Sequence, residues 1–116
     1  MRIGELGRAA GVSTRLLRYY EEQGLLQPTR GPNGYREYAE ADLAAVLRIR
    51  ALLAAGLPTS VIGQVLHCVH DDGGRLASSG CPGVVDLLHR EQARVDAAIR
   101  RLRSTQEALD TLLRSS

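Results

Sequence analysis

A seven-residue repeat of apolar side chains in the C-terminal part of the chain limits its possible folds more than any other feature. One column of the repeat is entirely leucine or valine, and a second alternates apolar residues with glutamine. The columns are Leu88, Val95, Leu102 and Leu109, and Val85, Gln92, Ile99, Gln106 and Leu113. Because arginine and acidic residues fill the positions between them, the repeat predicts a coiled-coil helix over residues 84–114.

A helix of this length extends about 45 Å at 1.5 Å per residue. A domain built from the preceding residues is too small to cover such a stripe, so a partner helix is expected. A second copy of the chain is the simplest partner, and the alternative is a helix that packs back on its own domain. The predicted dimerisation residues are Leu88, Val95, Ile99, Leu102, Leu109 and Leu113.

The beginning of the chain has a different period. Apolar residues recur at helical spacing in two short runs, Ile3, Leu6 and either Ala9 or Ala10, then Leu16, Leu17 and Tyr20. Gly11 ends the first run, and Ser13 suits the N-cap of the second because its hydroxyl can accept a bond from a free backbone N–H. Two short helices joined by a tight turn predict a helix-turn-helix.

The middle of the chain continues with turns and further helices. Asn33-Gly34 is a hairpin signal, and the alternation over residues 35–38 predicts a short strand, so residues 25–38 are interpreted as a small β-hairpin, or wing. Apolar spacing predicts a third helix ending near Gly56 and a fourth starting at Pro58. Residues 71–83 are interpreted as a loop and hinge.

Charge and composition exclude several classes of protein. All 15 basic residues are arginine, and residues 1–36 hold six of them against three glutamates, whereas the rest of the chain has a net charge of −1. Attraction to an anion is therefore expected at the N-terminal part. Two cysteines without a leader segment favour a cytoplasmic protein with no membrane span. Without C-x-x-C, a phosphate-binding loop or a Ser/His/Asp set, neither an enzyme nor a cofactor is predicted.

These motifs occur together, in order, in one known family. The chain resembles the MerR family of bacterial transcription regulators over residues 2–70, although Leu16 stands where the family usually has threonine. The motifs that carry the resemblance are Ile3-Gly4-Glu5-Leu6, Gly11-Val12-Ser13, Leu17-Arg18-Tyr19-Tyr20-Glu21, Gly24-Leu25-Leu26, Pro28, Arg30 and Gly34-Tyr35-Arg36-x-Tyr38. Since the sequence stops at Ser116, a short form without a C-terminal effector domain is expected.

The resemblance implies a mainly α-helical protein. Its expected parts are a winged helix-turn-helix DNA-binding domain over residues 1–70, a hinge loop over 71–83 and a dimerisation helix in an antiparallel coiled coil over 84–114. The expected DNA-binding residues are Ser13, Thr14, Arg15, Arg18, Tyr19, Tyr35, Arg36, Tyr38 and Arg50. Arg15, Arg18 and Tyr19 share one face of the second helix, where arginine can reach guanine edges or phosphates. Tyr20 and Tyr38 have a second interpretation as core residues.

The resemblance also implies a mechanism. A homodimer would bind double-stranded promoter DNA at two half-sites related by a dyad, and would distort the spacer so that RNA polymerase can use the promoter. An architectural DNA-bending protein without an effector is the alternative, although such a protein does not need the long helix.

A small group of residues suggests an effector site. The candidates are Cys68, Cys81, His67 and His70. By resemblance Cys81 falls near the first cysteine ligand of the family's metal sensors, so a site of Cys81, Cys68 and one histidine, or a redox switch of the two cysteines, is a possible sensor. The alternatives are a buried apolar Cys68 and solvated histidines, and no resident metal is predicted.

Overall fold

The computed structural model describes residues 1–116 and divides them into two compact units, Met1–Ser79 and Gly80–Ser116. The chain is mainly helical, as predicted. The first unit contains α1 (Ile3–Ala10), α2 (Thr14–Glu22), β1 (Thr29–Arg30), β2 (Arg36–Glu37), α3 (Glu40–Ala54), α4 (Thr59–Val65), a 3-10 turn (Leu66–Cys68), β3 (Val69–Asp72) and β4 (Arg75–Ser78). The second unit contains α5 (Val84–Arg114).

Helices α1 and α2 form the predicted helix-turn-helix. Gly11 follows α1 in the left-handed conformation, and the Val12 N–H donates to the Gly7 carbonyl at 3.0 Å. Ser13 is the N-cap of α2, and its Oγ accepts a hydrogen bond from the Leu16 N–H at 3.1 Å. The prediction of this cap is therefore confirmed.

The core of the first unit is aliphatic with two tyrosines. Leu6 of α1, Leu17 of α2, Val46 and Ile49 of α3, and Ile62 of α4 are completely buried. Tyr20 and Tyr38 are 1% and 3% exposed and belong to the same cluster. These helices therefore hold the outward face of α2 in a fixed position.

Strands β1 and β2 form a two-stranded antiparallel sheet, in which Thr29 pairs with Glu37 and Arg30 with Arg36. The predicted wing is therefore present as β1, β2 and the turn between them. In that turn the Tyr35 N–H donates to Asn33 Oδ1 at 3.2 Å, and the Gly31 N–H donates to the Tyr35 carbonyl at 2.9 Å.

The structure corrects the prediction that residues 71–83 are a loop and hinge. Most of that segment belongs to a second antiparallel hairpin formed by β3 and β4. Val69 pairs with Ser78 at its open end, and Asp72 pairs with Arg75 next to the turn. Gly73 and Gly74 form its turn with φ angles of 60° and 87°, which only glycine adopts without strain. Within the segment, the turn residues 73 and 74 and residues 79–83 lie outside helices and strands.

The second unit is the predicted long helix. Its bounds, Val84–Arg114, are those that the heptad pattern predicts. The apolar columns face solvent in the single chain, because Val95, Ile99, Leu102, Leu109 and Leu113 are between 40% and 70% exposed, whereas Leu88 is half-buried. No helix in the structure has the combined length and apolarity that crossing a membrane requires.

Candidate nucleic-acid interface

Helix α2 presents one charged face to solvent. Leu17 and Tyr20 point into the core, whereas Arg15, Arg18 and Tyr19 are exposed. Tyr19 is 42% exposed, and its ring centroid lies 6.4 Å from that of Tyr20. Of the two cap positions predicted to contact DNA, Ser13 is exposed and Thr14 is half-buried.

The wing carries a second cationic cluster. The guanidinium of Arg2 lies over the ring of Tyr35 at 4.3 Å from its centroid, and Tyr35 is 59% exposed. Arg30 Nη1 donates to the carbonyl of Gly34 at 2.9 Å, which ties the arginine to the wing turn. Sequence reasoning named neither Arg2 nor Arg30 as a site residue, because no local pattern shows which side chain stacks on Tyr35.

Arg36 joins the wing to α2. Its Nε lies 2.8 Å from Oε2 of Glu21, and both side chains are about one-quarter to one-third exposed. The contact has the geometry of an ion pair rather than of an aligned hydrogen bond, since neither atom has a hydrogen-bond partner. Arg36 is among the residues expected to bind DNA, and the structure shows that one edge of its guanidinium already faces Glu21.

Tyr38 is not part of the exposed surface. It was predicted to contact DNA from the wing, but its side chain is 3% exposed and packs in the core. The hydroxyl is buried and has no hydrogen-bond partner. Burial raises the pKa of Tyr38 above its usual 10.0, the charge of Glu21 raises it further, and Arg36 lowers it. Of the two interpretations of this tyrosine, the core role is the one that the structure supports.

Arg50 supports the helix-turn-helix from α3. Its Nη1 donates to the carbonyl of Ala10 at 2.7 Å, across 40 residues of sequence. Ala10 is the last residue of α1, so the guanidinium caps a free carbonyl at the turn that leads to α2. The residue as a whole is exposed, and its expected contact with DNA remains a prediction.

Charge on the first unit is unevenly distributed. Within residues 1–36, the ion pair of Glu21 with Arg36 is internally neutral. The remaining charged residues are five exposed arginines and two exposed glutamates, which leaves a net positive charge. Two cationic groups, one on α2 and one on the wing, are therefore held on one small unit. Such an arrangement can bind a phosphate backbone and present arginine to base edges at the same time.

Comparison with known proteins agrees with this geometry. The family described as "MerR HTH family regulatory protein" matches residues 1–67. The chain belongs to the MerR family. It is therefore a transcription regulator by family, as the sequence motifs predicted.

Individual MerR-family proteins match over nearly the whole chain. The HTH-type transcriptional regulator HmrR of Rhizobium leguminosarum bv. viciae is 30% identical over 113 residues, which cover 97% of this chain and 84% of HmrR. The transcription regulator PbrR691 from Ralstonia metallidurans CH34, solved in complex with Lead(II), is 35% identical with a TM-score of 0.79, covering 100% of this chain and 87% of PbrR691.

A more distant match shows the MerR fold alone. HiNmlR, a MerR family regulator lacking the sensor domain and solved bound to promoter DNA, is 19% identical with a TM-score of 0.59. The match covers 97% of this chain and 86% of HiNmlR.

The effector candidates of this MerR-family chain lie in both units. Cys68 ends the 3-10 turn of the first unit and is completely buried, while Cys81 in the second unit is half-buried. Neither cysteine carries a free thiol. His67 is exposed, and His70, which lies on β3, has its Nδ1 3.0 Å from the Ser79 hydroxyl. The roles proposed for these four residues therefore remain predictions.

Proposed function

We propose that this MerR-family regulator binds promoter DNA as a homodimer, at a site with dyad symmetry, and controls transcription initiation by distorting the spacer. The observation that carries the proposal is the exposed face of α2, with Arg15, Arg18 and Tyr19 held beside a cationic wing. RNA polymerase at the promoter is the expected partner.

Each part of the first unit has a role in this proposal. Helix α2 enters the major groove, where Arg18 takes guanine O6 and N7 or a phosphate oxygen. Tyr35 and Arg36 of the wing hold the backbone beside it, together with Ser13 and the rest of the predicted DNA-binding set. Phosphate contacts set the register and base contacts supply specificity.

The long helix supports a dimer. Its apolar columns are exposed along most of their length, and a stripe of this kind is stable in water only when a partner covers it. An antiparallel pair of such helices separates two DNA-binding units, so that each reads one half-site. An architectural DNA-bending protein would make no use of this stripe.

Replacement of Arg18 tests the DNA-binding proposal. We expect Arg18→Ala to weaken binding to a cognate promoter fragment by about 5- to 150-fold, because a good arginine–base contact contributes about 1–3 kcal/mol. The control is Arg114→Ala, which removes the same charge from the last turn of α5. Fluorescence anisotropy at two salt concentrations measures both, and equal affinities of the two variants would refute the assignment of α2 as the recognition helix.

A second candidate function is a thiol- or metal-responsive regulator. It is supported by the likeness to PbrR691, which was solved with Lead(II), and by the presence of Cys68, Cys81 and His67, whose sulfur and imidazole atoms suit soft or borderline metals. Cys81 is the residue we propose as the sensor.

Native mass spectrometry of the purified protein tests this second function. The protein is measured after mild reduction and after addition of Pb(II), Zn(II) or Hg(II), for the wild type and for Cys81→Ser. A metal adduct present in the wild type and absent in the variant supports the sensor. Identical masses for the two proteins under every condition, after correction for the substitution, refute it.

A further inference from the structure

Helix α3 has two apolar faces. Val46, Ile49 and Leu52 point into the core, as expected for a helix of a small domain. A second stripe, formed by Ala44, Leu47 and Ala51, points away from the core, and Leu47 is 48% exposed. A surface helix needs only one apolar stripe, so this second face is not explained by the fold of the unit.

The hairpin β3–β4 turns the second face into a groove. Leu76 of β4, 37% exposed, forms the opposite wall, and Asp71 and Gly74 complete the edge. The groove has a volume of about 320 Å³. This is at the lower end of the range for small-molecule sites, which typically have apolar walls and a few polar groups.

Arg48 supplies an unused donor in this groove. It is half-buried, and its Nε is shielded from solvent without a hydrogen-bond partner. Arg48 also takes no part in the ion pairs of the structure, which join Arg36 to Glu21 and Arg94 to Glu91. A shielded N–H without an acceptor is unfavourable, and the remaining forked donors of a half-buried guanidinium match a carboxylate.

We propose that this groove binds a small apolar monocarboxylate. The carboxylate accepts from Arg48, and the apolar body covers Leu47, Leu76 and the alanines of α3. Asp71 lines the same groove without pairing with Arg48, so its charge disfavours ligands with a second negative group. The site uses none of the residues proposed to contact DNA, and it therefore stands independently of the proposed function.

The test uses the full chain and 3-phenylpropionate as the probe. Methyl NMR spectra are recorded during titration, with 3-phenylpropanol as a ligand of the same body without the carboxylate. We expect saturable shifts of the Leu47 and Leu76 methyls with a Kd below about 1 mM, and at least tenfold weaker binding of the alcohol.

Three variants locate the charges. Arg48→Gln is expected to weaken the binding of 3-phenylpropionate at least tenfold, and Asp71→Asn is expected to strengthen its binding severalfold. Arg75→Gln removes an exposed charge outside the groove and is expected to leave the affinity unchanged. Should Arg48→Gln fail to fold, the comparison of acid with alcohol on the wild type decides. The proposal is overturned if the methyl shifts are absent or do not saturate, or if the acid and the alcohol bind equally well. It is also overturned if the Leu47 and Leu76 signals change only with protein concentration, because that would show that a second copy of the chain occupies the groove.

Discussion

At the scale of single residues, the wing shows what sequence can and cannot predict. Alternation over residues 35–38 correctly predicts a strand, but it does not determine which tyrosine faces the core. Tyr35 is exposed and Tyr38 is buried because β2 ends at Glu37 and the chain then turns toward α3. The ion pair of Arg36 with Glu21 joins two elements and has no signal in either local sequence.

Tyr38 is expected to lower the free energy of unfolding as the pH rises into the alkaline range. Its pKa is raised in the folded protein, so its contribution is complete below about pH 10 and is lost as pH rises through the folded pKa. We expect urea unfolding to show a smaller loss of unfolding free energy from pH 8 to about pH 11 for Tyr38→Phe than for the wild type.

At neutral pH the same variant loses no hydrogen bond, since the hydroxyl has no partner. Its unfolding free energy is expected to be unchanged or higher by up to about 1 kcal/mol. A decrease of more than about 1 kcal/mol at neutral pH would contradict the unpartnered hydroxyl, and equal alkaline losses in the two proteins would contradict the raised pKa.

Glu21 is predicted to position the wing. Glu21→Gln removes the charge that faces Arg36, and Glu22→Gln removes an exposed charge one residue away as the control. Because the pair is partly exposed, we expect unfolding free energy to fall by less than about 1 kcal/mol. DNA affinity should be lower for Glu21→Gln than for Glu22→Gln in the same anisotropy assay, and identical affinities would show that the ion pair does not orient Arg36.

At the scale of elements, the positions of the helices can be predicted from the spacing of apolar residues and from the residues that cap the helix ends. The spacing of apolar residues, together with Ser13 and the glycines, predicts α1, α2, α3 and α5 closely. The hairpin β3–β4 was missed because its strands are polar. Asp71, Asp72 and Arg75 give no apolar alternation, and the hairpin is specified by the two glycines of its turn and by backbone pairing across the strands.

Two glycines of α1 differ in the space around them. A Cβ on Gly7 would lie 2.8 Å from the Val12 carbonyl oxygen, whereas one on Gly4 meets only the flexible end of Arg8 at 3.5 Å. We expect Gly7→Ala to lower unfolding free energy by about 1–3 kcal/mol, and Gly4→Ala to raise it by about 0.5–1 kcal/mol. Urea denaturation measures both, and equal effects would mean that the turn tolerates a side chain at Gly7.

At the scale of the whole molecule, the exposed stripe of α5 is the surface that we propose for dimerisation. Leu102 is 60% exposed in the single chain and lies in the middle of a predicted dimerisation column. We expect Leu102→Asp to shift sedimentation from dimer to monomer at micromolar concentration, because it places a charge in the apolar seam. The control is Ser104→Asp, on the opposite face of the helix, which should remain dimeric. A dimer that survives Leu102→Asp would exclude this stripe as the interface.

The contact of Arg50 with Ala10 also bears on the order of folding. The carbonyl at the end of α1 accepts its hydrogen bond from a guanidinium 40 residues later in the sequence. The Tyr38 N–H likewise donates to the Met1 carbonyl at 2.7 Å, across 37 residues. Contacts so distant in sequence form late, because the intervening chain must first close as a loop. During synthesis, α1 and α2 would therefore reach their final positions only after α3 has left the ribosome. A peptide that ends at Gly24 would lack both contacts, so we expect the isolated two-helix motif to be less ordered than the same residues in the full chain.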